Sequence, residues 1–143
     1  MIRKFASRMT RRAVVALVGL FCLFVATPDR FAVAQPVTVQ LVIDYGDGVI
    51  KSFVDLPWTK GMTVLDMMNA AKTHSHGITF GFTGSGGTAF LAQIDDVKNE
   101  GGGAGKKNWQ FSVNSTYADR GFGIYEVQAG DVVIWGFSTS EPK

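Results

Sequence analysis

The 143-residue sequence contains one cysteine and two histidines, and each scarcity excludes some chemistry. The lone thiol, Cys22, lies in an apolar run near the N-terminus, so neither an intrachain disulfide nor a zinc–cysteine cluster can form. Phe21 precedes it where a lipidated cysteine would follow a small residue. His74 and His76 fall short of the three or four ligands that a protein zinc site usually takes. Two histidines spaced in this way at the end of a helix read as an exposed terminus. Serine, histidine and acidic residues all occur, but no local pattern forms a nucleophile elbow. A phosphate loop around Gly105-Lys106 would need glycine at position 100 and Ser or Thr at 107, where Glu100 and Lys107 stand. No catalytic residue, metal or cofactor is therefore expected, and the chain reads as a non-enzyme.

Basic charge is also scarcer than the total suggests. Arg3, Lys4, Arg8, Arg11 and Arg12 precede an apolar run from Ala13 to Thr27, which Pro28 breaks. This run of about 15 residues is short of the roughly 20 a spanning helix needs, and Ala32-Val33-Ala34 is a small-x-small cleavage site. Residues 1–34 are therefore expected to be a signal peptide cleaved after Ala34, with residues 35–143 as one domain. Thr10-Arg11-Arg12 partly matches a twin-arginine signal, yet the rest of that motif is missing, so general secretion is preferred. Six of the 14 basic residues and one of the 12 acidic ones lie in the leader, which leaves eight against eleven. A mature domain of net charge −3 lacks the cationic footprint of a nucleic-acid binder. The expected location is secreted or periplasmic, with no membrane span after cleavage.

Val37, Val39, Leu41 and Ile43 alternate with polar residues, the period of a half-buried strand. Tyr45-Gly46-Asp47-Gly48 supplies turn chemistry, and Val49 to Leu56 returns as a second strand ended by Pro57. Thr63 and Asp66 form a capping box at a helix start, flanked by Met62 and Met67 as a hydrophobic staple. Val64, Leu65, Met68 and Ala71 share one helical face, and the helix is over by Gly77. Ile78 to Phe82 and Ala89 to Ile94 read as short strands around the flexible tract Gly84-Ser85-Gly86-Gly87. Gly84 to Ala89 formally fits a dinucleotide fingerprint but lacks the helix that must follow it. The glycine-rich stretch Asn99 to Lys107 is expected to be mobile. Trp109, Phe111 and Val113, then Val133, Trp135 and Phe137, give two further strands. The fold class is α+β, a mixed sheet with one covering helix.

The run Asn108-Trp109-Gln110-Phe111-Ser112-Val113-Asn114, then Gly121 to Val127, then Gly130 to Trp135, with Gly61 to Asp66 upstream, resembles the transcobalamin-like C-terminal domain family. This widespread bacterial domain is largely of unknown function, and the matching pieces span roughly Val37 to Phe137. Ser115 stands where the family usually has glycine. The resemblance implies a β-grasp-like fold. In the animal cobalamin carriers such a domain closes over one face of the corrinoid, while a large helical domain absent from this sequence holds the other.

Aromatic residues cluster between Trp109 and Phe137, interleaved with Asn108, Asn114 and Asp119. Alternating aromatics are what strands bury, yet exposed ones could stack on a flat ligand or join a protein interface. Asn114-Ser115-Thr116 reads either as a glycosylation sequon or as a simple turn. Trp109, Tyr117, Phe122 and Tyr125 are the candidate contact residues of an exported, non-catalytic binding module. Its partner would be a small molecule, corrinoid-like in view of the resemblance, or a protein. The alternative is an enzyme of the cell envelope with an unrecognised active site. N-terminal sequencing of the exported protein should begin at Gln35. A chain that retains Met1 on the membrane would overturn the cleavage assignment.

Overall fold

Alternation between apolar and polar side chains lays down the central strands of this α+β protein, which a computed structural model describes over residues 36–139. The expected signal peptide and its cleavage point lie outside the described residues. Strand β1 (Thr38–Asp44) turns through Gly46 and Gly48, both at positive φ, into β2 (Ile50–Pro57). Helix α1 (Val64–Lys72) follows, then β3 (Phe80–Thr83), β4 (Phe90–Ile94), β5 (Val97–Lys98), β6 (Asn108–Val113), β7 (Thr116–Tyr117) and β8 (Val132–Ser138). Five strands pair in the order β2-β1-β8-β6-β7, with β1 and β8 parallel and the other neighbours antiparallel.

Register places the apolar sets on one face. Leu41 lies beside Val133 and Ile43 beside Trp135, while Trp109, Phe111 and Val113 pair with Phe137, Trp135 and Val133. Helix α1 packs on the β1–β2 half of this face through Val64, Met67, Met68 and Ala71. Met67 is fully buried in the helix interface, whereas Leu65, expected on that face, is only half-buried. The capping box is formed: the Asp66 amide donates to Thr63 Oγ1 at 3.2 Å and the Thr63 amide to Asp66 Oδ2 at 2.9 Å. Such a cap contributes about 1 kcal/mol.

The other half of the face is covered by a second sheet, where a single mixed sheet was expected. Strands β3, β4 and β5 form a separate antiparallel sheet, with β4 packed beside β6. The indole of Trp109 donates from Nε1 to the Val97 carbonyl at 2.9 Å, fastening this small sheet to the large one. The glycine-rich stretch after β5 closes at its base. The Glu100 amide donates to the Lys107 carbonyl at 3.0 Å and the Trp109 amide to Asn99 Oδ1 at 2.7 Å.

A second fastening is ionic. Asp95, in the β4–β5 turn at a φ of 46°, accepts the Tyr45 hydroxyl, the Lys51 ammonium at 2.8 Å and the Thr79 amide at 2.8 Å. Burial pushes the Asp95 carboxyl up, but hydrogen bonds from Lys51, Thr79 and Tyr45, with the lysine's charge, outweigh it and hold it below the usual carboxylate range. Burial, with the carboxylate beside it, pushes the Tyr45 hydroxyl above its ordinary value. Asp95→Asn keeps the shape and removes the charge. The unfolded carboxyl titrates near pH 3.9 (roughly) and the folded one below it, so the carboxylate stabilises fully above that value and its contribution is lost as pH falls through the folded one. D95N should be less stable at pH 7 by about 1.5–3 kcal/mol, with the gap closing toward pH 2 or so, read from urea melts at both values. An equal gap at both would mean that charge is not what joins the two sheets.

Candidate functional site

The segment between β7 and β8 builds the site, and its conformation is held from three sides. Ala118 donates to the Phe111 carbonyl at 3.1 Å, which keeps the segment against the β6 edge. Ile124 and Tyr125 both donate to the Gly121 carbonyl, at 3.0 and 3.1 Å, forming a tight turn. The start of α1 grips the segment from below: Val64 donates to the Tyr125 carbonyl, Leu65 to the Phe122 carbonyl, and Val127 back to the Met62 carbonyl, at 3.0, 3.0 and 2.9 Å.

The third support is the tract Gly84-Ser85-Gly86-Gly87, expected to be flexible. Gly86–Thr88 forms a single 3₁₀ turn, and the Thr88 hydroxyl donates to the Ser85 carbonyl at 2.8 Å. Gly123 packs so closely on it that a Cβ there would lie 2.4 Å from the Gly86 carbonyl oxygen, a contact only glycine permits. Strand β4, not a helix, comes next, so the nucleotide-fingerprint context is missing here as well.

Two adjoining cavities open along this segment. The smaller, about 330 Å³, has an apolar wall of Leu91, Trp109, Phe111, Phe122 and Trp135, with Phe90 at its margin. The larger, about 590 Å³, is lined by Tyr117, Asp119, Arg120, Ile124, Tyr125 and Glu126, and also touches Thr116. Tyr117, Asp119 and Arg120 border both.

All four candidate residues border one cavity or the other, but in different capacities. Trp109 is 6% exposed, meets the edge of Tyr45 at 5.6 Å and packs on Phe137 at 5.2 Å. Phe122 is buried between Phe82 and Trp135, at 5.8 and 5.5 Å. These two are wall residues rooted in the core. Tyr117, 43% exposed on the edge strand β7, and half-buried Tyr125, edge-on to Phe111 at 5.8 Å, stand at the rim.

Sequence reasoning missed Phe90, Gln110, Arg120 and Glu126. Phe90 is 60% exposed and carries no signal beyond its strand position. Arg120 did carry one: it is the sole arginine after residue 30. Its guanidinium holds Asp119 in a two-point contact at 2.9 and 3.1 Å and lies 5.8 Å from the centre of the Tyr125 ring. The hydrogen bond from Arg120 holds the Asp119 carboxyl below its ordinary range and raises the guanidinium in turn.

Among the described residues, two buried side-chain polar atoms have no hydrogen-bond partner, Trp135 Nε1 and Gln110 Oε1, and both residues border the smaller cavity. An unsatisfied buried polar atom costs about 1–3 kcal/mol. His74 and His76 are exposed at the end of α1, and among the described residues no group of three or more His, Cys, Asp or Glu is placed to hold a metal ion. Nor is any helix among those residues long and apolar enough to cross a membrane.

A family model described as "Domain of unknown function (DUF4430)" matches residues 61–139, from the turn before α1 to the end of β8. Both cavities fall within that span, and strands β1 and β2 precede it. No curated protein matches the chain.

The division between wall and rim is measurable. Trp109→Ala should cost about 3–5 kcal/mol in a thermal or urea melt, as for a packed aromatic. Tyr117→Ala should stay within about 0.5 kcal/mol of the parent protein. Equal losses at the two positions would contradict the assignment.

Proposed function

From the premise that the chain belongs to the DUF4430 family of domains of unknown function, we propose that it is an exported, non-catalytic binding module that takes a small molecule at the Tyr117–Tyr125 face. The observation that carries this reading is the pair of buried, partnerless polar atoms, Trp135 Nε1 and Gln110 Oε1, on two residues that border the smaller, mainly apolar cavity. Buried polar groups are paired in the great majority of proteins, so an orphan donor beside a cavity calls for an acceptor from outside the chain. A few polar atoms set in an apolar, largely aromatic lining is also the usual character of a small-molecule site.

A β-grasp-like fold is supported by the strand order β2-β1-β8-β6 with its parallel central pair and the helix crossing after the first hairpin. A transcobalamin-like relationship rests on the motif pieces from Gly61 to Trp135, all of which lie inside the family match. Secretion, or retention in a periplasm, rests on the basic-then-apolar leader and on Ala32-Val33-Ala34. The cavity, about 330 Å³, suits a compact planar ring or one edge of a larger one such as a corrinoid.

The test uses the indole N–H resonance of Trp135 as its reporter. Quinoline, a planar ring with an acceptor nitrogen, should shift it and bind more tightly than naphthalene, which has no acceptor; hydroxocobalamin serves as the corrinoid arm. Tyr117→Ala should weaken the response while leaving the melt unchanged. If none of the three compounds moves the Trp135 resonance, the small-molecule reading fails.

A further inference from the structure

The larger cavity differs in chemistry from its neighbour. It presents two tyrosine rings, Tyr117 and Tyr125, and two carboxylates, Asp119 and Glu126, against one cation, Arg120. Arg120 is already committed: its fork is matched by Asp119 at 2.9 and 3.1 Å. Among the described residues the ion pairs are Lys51–Asp95 and Arg120–Asp119, so the Glu126 carboxylate is uncompensated. The lining therefore carries a net negative charge beside the electron-rich faces of two phenols, an arrangement that attracts an organic cation.

The chain supplies its own demonstration. The Arg120 guanidinium lies 5.8 Å from the centre of the Tyr125 ring, within the range at which a cation is held by an aromatic face. Both Arg120 and Asp119 are more than half exposed, so this pair is weakly held and can be displaced. Building on the reading of this face as a small-molecule site, we propose that the larger cavity binds the cationic end of the ligand, a quaternary ammonium or alkylated amine, on Tyr117, Tyr125 and Glu126, with Arg120 as the internal competitor that vacates the Tyr125 ring. The smaller cavity then takes the apolar remainder across the shared Tyr117–Arg120 boundary.

Choline and its neutral isostere 3,3-dimethylbutan-1-ol separate charge from shape. In calorimetric or NMR titrations at pH 7 and low salt, choline should bind at least about fivefold more tightly than the alcohol, the gain expected of a cation on partly exposed aromatic faces. Glu126→Gln should reduce that preference, and added salt should weaken choline but not the alcohol. Arg120→Gln, which removes the competitor and frees Asp119, should tighten choline further. Equal binding of choline and the alcohol would overturn the inference, as would a weaker choline response in R120Q. Acetate binding that disappears in R120Q would overturn it too, by making Arg120 an anion receptor. Each of these results leaves the Trp135 response to planar rings untouched, so failure here is distinguishable from failure of the small-molecule reading.

Discussion

Two backbone donors at the start of α1 organise the face on which the function is placed. The first amides of any helix have no acceptor within it and must find one elsewhere. Here Val64 and Leu65 find theirs on the carbonyls of Tyr125 and Phe122, across more than fifty residues of sequence, while the Val127 amide returns to Met62. The helix and the aromatic segment thus complete each other's hydrogen bonding. Because Thr63 and Asp66 cap the same helix end, its position along the sheet is fixed, and the segment's ring-bearing residues inherit that position. Trp58 reinforces the joint, its indole donating to the Val127 carbonyl at 2.9 Å.

The rest of the architecture follows from how one sheet face is shared. A nine-residue helix is about 14 Å long and cannot cover five strands spaced at roughly 4.8 Å. It covers β1 and β2, and the remaining half, over β8 and β6, needs another lid. The three-stranded sheet and the 118–127 segment provide it, tied down by Trp109 to Val97 and by Asp95 to Tyr45 and Lys51. Where this second lid meets the edge of β6 beyond the two-residue strand β7, the cover is incomplete, and the smaller cavity lies there.

Local rules recovered what local forces decide. The alternation in β1, β6 and β8 gave strands and their buried faces, and the Thr63–Asp66 spacing gave a cap that is present atom for atom. What escaped was decided by partners distant in sequence. Gly84 to Gly87 reads as a flexible tract because its packing partner, Gly123, lies 36 residues on. β5 is two residues long and has no period to read. Leu65, read on the buried face, is half-buried, while Met67, read as one end of a staple, is fully buried; nothing in a hydrophobic pattern says what a second layer covers. For the same reason alternation could not separate Trp109, rooted in the core, from Tyr117, half free on an edge strand.

Those four aromatics acquire their division of labour from the same geometry. Trp109 and Phe122 are held by rings on several sides, which makes them a rigid wall, and rigidity in a wall lowers the ordering cost of binding. Tyr117 and Tyr125 project from a two-residue strand and a turn, where exposed phenol faces remain available. Between wall and rim stands Arg120, whose exposed pairing with Asp119 contributes little to stability because solvent screens it. On the proposal made above, Arg120 acts by occupancy: it covers the Tyr125 ring face and the Asp119 carboxylate that would otherwise attract another cation. Selectivity then comes from what displaces it. A ligand that brings both a charge for the larger cavity and an apolar body for the smaller one gains from both, and so displaces the guanidinium more readily than either part alone.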